Sequence, residues 1–212
     1  MSLSFIAEFE CLCLSFLKSQ EQADAAHDIA HIKRVVKVAK QLASEENADL
    51  AIVIPAAYLH DCVSLPKNHP NRHLASTWAG EKAIEFLVSV HYPNEYHQAI
   101  YHAIQAHSFS ANIRATTLEA KIVQDADRLD ALGAIGIARC MQVSGALNRA
   151  LYAIEDPFCE KREPDDALYS IDHFFTKLFT IADSLNTPSA QLEGKRREAV
   201  MHDFLNSLAL EL

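Results

Sequence analysis

Histidine is the residue type that stands out: of 11 in the chain, nine fall between His27 and His107. Core packing does not require that concentration. Three groups carry the chemistry: H-D-I-A-H at 27–31, H-D at 60–61 and D-A-D-R-L-D at 125–130. His27 and His31 are four apart and share a face if one helix covers both. His60 and Asp61 are neighbours, about 100° apart on a helix, and can converge on one ion if they close a helix end. Asp127 and Asp130 share a face with Val123 and Ala134, whereas Asp125 follows the stripe Leu118, Ile122, Leu129, Leu132. In a helical segment Asp125 and Asp127 therefore cannot both reach one ion. Together the groups supply two imidazoles and two carboxylates from three helices, a mixed N/O set suited to a divalent metal with open positions.

The elements that must position these groups are helical. Five Gly and seven Pro make 12 punctuating residues in 212, well below the usual share of roughly 12%. That scarcity excludes a many-stranded sandwich or barrel and favours long helices with short links. Apolar periodicity predicts helices at 3–18, 28–44, 49–61, 74–90, 95–107, 117–143, 168–185 and 189–211. Pro55 is tolerable in the third if it lies near the first turn. LPKNHPNRH at 65–73 reads as a loop, EDPFCEKREPDD at 155–166 as a solvated loop or a lid, and EGKRRE at 193–198 as an exposed helix face. Asp172-His173 reads as an ordinary helix pair. At about 150 residues per domain, the length predicts a single domain over 1–212.

Several function classes are excluded. The chain has no G-x-G-x-x-G and no G-x-x-x-x-G-K-[ST], so glycine-built phosphate cradles are absent. Nineteen basic against 28 acidic residues give 19 − 28 = −9, which argues against a nucleic-acid groove. Five cysteines without C-x-x-C spacing fit reduced thiols and a cytoplasmic location. The N-terminal stretch carries Glu8 and Glu10 without a basic segment, a poor signal peptide. The longest run free of charged residues, 96–113, holds three histidines and is no membrane span.

The order of HDIAHIKRV, AAYLHD and QDADRLDALGAIGIAR resembles the HD superfamily of metal-dependent phosphohydrolases, and more narrowly its small stand-alone bacterial members, whose better-studied relatives act on nucleoside triphosphates or nucleotides. The resemblance runs over 27–139. It implies an all-α, single-domain HD-type bundle with a central metal, completed by C-terminal helices over 168–211. It also implies His31, His60, Asp61 and Asp127 as metal ligands and catalytic residues. Asp125 is then a supporting or buried polar group, and His27 and Asp28 cap or orient. Lys67, Arg72, His73, His107 and Arg128 are candidates for substrate contact, with His102 a weaker one.

The implied reaction is hydrolysis of a phosphate ester or anhydride in a small phosphorylated substrate, probed first among nucleotides, by water activated on one divalent ion. Mn, Fe, Co or Ni suit two imidazoles better than Mg, which prefers oxygen ligands. The alternatives are a di-iron oxygenase of the same superfamily and a metal-binding module without turnover. No membrane partner is expected, and the oligomeric state is open. One metal per chain is expected, with His107 lining the pocket.

Overall fold

The computed structural model describes residues 3–19, 29–65 and 69–212. Among them are nine α-helices: α1 Leu3–Ser19, α2 Ile29–Glu46, α3 Leu50–Leu59, α4 Ala75–Ser89, α5 His97–His107, α6 Leu118–Leu129, α7 Gly133–Ala146, α8 Phe179–Asp183 and α9 Pro188–Ala209. The described residues form no strand, only a parallel bridge between Ala150 and Tyr169. The all-α class read from glycine and proline scarcity is what the chain adopts. No described helix is long and apolar enough to cross a membrane. The chain groups into two compact units, residues 1–127 and 128–212, divided within the last turn of α6.

In the first unit α3 is the hub, packed by α1, α2, α4 and α5. Its sequence LAIVIPAAYL is apolar on every side, as a helix enclosed by others must be. Asp49 caps it, accepting from the Ala51 N–H at 2.8 Å. Pro55 sits in mid-helix rather than in the first turn. Lacking an N–H, it leaves the Ala51 carbonyl four residues back without a helical donor. The hydroxyl of buried Tyr92 donates to that carbonyl instead, at 2.8 Å. Tyr92 also ties down α1, its ring 4.7 Å from that of Phe9. Helices α4 and α5 run antiparallel: Gln105 meets Thr77 at 3.3 Å, and the Tyr101 ring fills the space a side chain at Gly80 would take.

In the second unit the expected helix 117–143 is broken. The chain turns at Asp130–Leu132, and α7 begins at Gly133, whose φ of +70° favours glycine. A Cβ at Gly136 would lie 2.2 Å from the Ala131 carbonyl oxygen, so the turn closes only over a second glycine. The expected helix 168–185 is also shortened, to a π-helical turn at Phe174–Leu178 followed by α8. The segment 155–166 is pinned. Asp156 accepts from the N–H groups of Glu160, Lys161 and Arg162. Arg162 in turn makes a bidentate pair with fully buried Asp172 at 2.5 and 2.7 Å. Asp172 is thus an anchor rather than an ordinary helix residue.

Candidate metal centre

Four helices of the first unit bring the imidazoles and carboxylates together. His31 lies in the first turn of α2, His60 closes α3 with Asp61 next, His107 ends α5, and Asp127 is in the last turn of α6. The adjacent His60 and Asp61 converge because they occupy a helix end. His31 Nε2 lies 3.5 Å from Asp127 Oδ1 and 3.7 Å from Asp61 Oδ2. His60 Nε2 lies 3.4 Å from Asp61 Oδ2 and 3.8 Å from Asp127 Oδ1. His107 Nε2 is 3.4 Å from Asp61 Oδ1.

The tautomers follow from the backbone. His60 donates Nδ1–H to the Ala57 carbonyl at 2.9 Å, and His107 does the same to Ile104 at 2.6 Å. With Nδ1–H so committed, His60 turns Nε2 to the carboxylates; that atom is buried and makes no hydrogen bond. An imidazole nitrogen facing carboxylate oxygens at these distances calls for a proton on the ring or a cation between them. The donor set of His31, His60 and Asp127, all within 4.8 Å of one another, fits a divalent metal, as does that of His60, Asp61 and His107. Burial of Asp61 opposes ionisation. The His60 ring, with His107 and His31, outweighs it and holds the carboxyl well below the usual carboxylate range. Burial likewise lowers the His107 pKa, but Asp61 beside it and Asp127 beyond raise it overall.

The remaining predicted residues are placed as follows. Asp125 is fully buried, and the carboxylate that meets the histidines is that of Asp127. Arg72 follows the His60–Asp61 pair in a short 3₁₀ turn and donates to the Leu65 carbonyl at 3.2 Å; His73 beside it is exposed. His102 accepts from the Thr116 N–H at 3.2 Å, a tie between the middle of α5 and the loop before α6. Arg128 donates to the Ser184 carbonyl at 2.5 Å. His27, Asp28 and Lys67 lie outside the described residues. The direct pairing of His107 with Asp61 was missed in the sequence. Its one signal was a histidine ending a helix, as His60 does.

The helical frame sets the imidazoles of His31 and His60 within 3.8 Å of the Asp61 and Asp127 carboxylates. The HD domain family model matches residues 28–132, and the chain belongs to that family. YpgQ of Bacillus subtilis is 32% identical over 192 residues, 89% of this chain and 85% of YpgQ. The crystal structure of YpgQ in complex with ADP superposes with a TM-score of 0.72 at 30% identity, covering 96% of this chain and 97% of that one. An HD-superfamily hydrolase from Bacillus thuringiensis superposes with a TM-score of 0.75 at 32% identity, covering 97% of each chain.

Proposed function

We propose that this chain is a metal-dependent phosphohydrolase acting on a nucleotide or another small phosphate ester or anhydride. The observation that carries the reading is the convergence of the buried imidazoles of His31 and His60 with Asp61 and Asp127. These four would hold one divalent ion, Mn, Fe, Co or Ni in preference to Mg. When bound, such an ion supplies a nucleophilic water near neutral pH and offsets charge on phosphoryl oxygens. The chain's own groups do the rest. Asp61, kept ionised by the histidines around it, provides the negative charge that retains the cation. His107, fixed through its Nδ1–H, lines the pocket with Nε2 turned inward. Arg72 and His73, with Lys67 in the same loop, are proposed to hold substrate oxygens; Arg128, committed to the Ser184 carbonyl, is the weaker candidate. ADP in the crystal of YpgQ supports a nucleotide among the substrates. The two compact units are proposed to work as one HD-type domain, since the motif-bearing stretch 27–139 runs through both.

The test is a phosphate- and pyrophosphate-release screen over nucleotides, with metal-stripped protein refilled with single metals. Pyrophosphate from triphosphates would make the enzyme a pyrophosphohydrolase; orthophosphate from monophosphates would make it a phosphomonoesterase. No release from any nucleotide or simple phosphate ester with any metal would overturn the reading. One observation favours a second reading, a di-iron oxygenase: His107 Nε2 faces Asp61 Oδ1, half of a further cation site. Metal analysis after anaerobic, iron-replete purification separates the two. One metal per chain is expected; close to two irons, one of them lost in His107→Ala, would promote the oxygenase.

A further inference from the structure

We propose that Arg197 on the C-terminal helix α9 is a positioning residue for the metal set, because its guanidinium fixes the end of α6, the helix that carries Asp127. The inference rests on the metal reading above. Helix α6 ends at Leu129, two residues past Asp127. The last carbonyls of a helix have no donor of their own, and a cation beside them is favoured by the helix dipole. The Leu129 carbonyl accepts from the Leu132 N–H at 3.1 Å in the turn that follows and, as a second donor, from Arg197 Nη1 at 2.6 Å.

The arginine is itself held in place. Its Nε donates to Glu193 Oε1, one turn earlier on α9, at 2.7 Å. Its stem lies where a side chain at Gly133 would be: a Cβ there would come within 3.2 Å of Arg197 Cβ and Cγ. The run EGKRRE therefore divides. Arg197 is only 17% exposed, whereas Arg196 is 66% exposed and directs two hydrogen bonds to Glu193. Sequence patterning assigned both to one exposed face. Without the guanidinium the Leu129 carbonyl would keep only the Leu132 N–H, and the end of α6 would lose the side-chain tie to α9 that steadies the Asp127 carboxylate towards His31 and His60. Groups that orient metal ligands are worth about 10–100-fold in affinity.

The experiment is calorimetric titration of Mn²⁺ into metal-stripped full-length protein, with far-UV dichroism and Tm recorded for each variant. Arg197→Ala is expected to keep its helicity and to bind Mn²⁺ about 10-fold more weakly or worse. Arg196→Ala is expected to bind as the wild type does. Arg197→Lys, which keeps a donor for the Leu129 carbonyl, is expected to recover much of the loss. If Arg197→Ala does not fold, Arg197→Gln takes its place, its side chain being two atoms shorter. A folded Arg197→Ala or Arg197→Gln with wild-type Mn²⁺ affinity overturns the proposal. An equal loss in Arg196→Ala also overturns it, since that would mark a general charge effect. Failure of the wild type itself to bind Mn²⁺ overturns the metal reading instead.

Discussion

Individual side chains of the metal set differ in what their removal should do. His60→Ala and Asp61→Ala are expected to abolish both metal retention and turnover while the far-UV spectrum stays helical. Full activity with unchanged metal content in either variant would remove them from the site. The two aspartates of α6 give a sharper comparison. Asp127→Asn should lose the metal, since a neutral amide is a poor ligand for a hard cation. Asp125→Asn should retain it, with a loss of about 10-fold or less through indirect effects on the ligands. Metal analysis of the two purified variants decides, and the reverse pattern would place the ligand two residues earlier. That only one of the two can serve was legible in the sequence, because helical geometry forbids both at one ion; that it is Asp127 was implied by the resemblance to the HD superfamily. The part played by His107 was not legible, because its partner Asp61 lies 46 residues away and nothing local marks the pairing.

Helices and their joints set the next scale. Tyr92→Phe removes only the hydroxyl that satisfies the Ala51 carbonyl opposite Pro55. It should lower stability by about 1–3 kcal/mol, the cost of a buried acceptor left without a donor. Urea unfolding reads this as a lower midpoint at constant slope, and an unchanged midpoint would count against the compensation. Gly136→Ala should cost about 1–3 kcal/mol or more, because its methyl meets the Ala131 carbonyl and backbone must move. The second variant bears on why 117–143 reads as one helix in sequence. Apolar periodicity continues through Leu129 and Leu132, and no proline interrupts it. The break is made by two glycines whose need appears only when the carbonyl of Ala131 is seen beside them. Pro55 was misplaced for a similar reason, since its missing hydrogen bond is compensated from a residue 37 positions on.

For the molecule as a whole, the acid limb of stability has a traceable contributor in Glu193. Arg196, with Arg197, lowers its pKa from 4.5 to about 2 against the opposing effect of burial. A carboxyl depressed in the folded state stabilises fully above its unfolded value and loses that contribution as pH falls towards the folded one. The gap in urea midpoint between wild type and Glu193→Gln is therefore expected to be largest near neutral pH and to close between about 4.5 and about 2. A constant gap over that window would show that Glu193 acts by packing alone. The helical class at this scale was legible from few glycines and prolines, while the family was legible only from the resemblance carried by the histidine and aspartate motifs. The pinning of 155–166 was not. Asp172 lies ten positions after Arg162, and Glu163, Asp165 and Asp166 stand between them, so nothing in that run singles out the pair that becomes buried.

The two carbonyls that orient His60 and His107 belong to Ala57 and Ile104, three residues back along the same helices. Main-chain oxygens are common to all twenty amino acids. The choice of ring nitrogen is thus written into the helix ends rather than into a neighbouring side chain, and single substitutions at 57 or 104 cannot erase it while the helix persists. A saturation scan should accordingly find positions 57 and 104 governed by size and apolarity alone, with metal loading carried intact through every variant that folds. In proteins where a carboxylate orients the imidazole, one substitution uncouples the ligand. Here the same freedom would have to come from unwinding a turn.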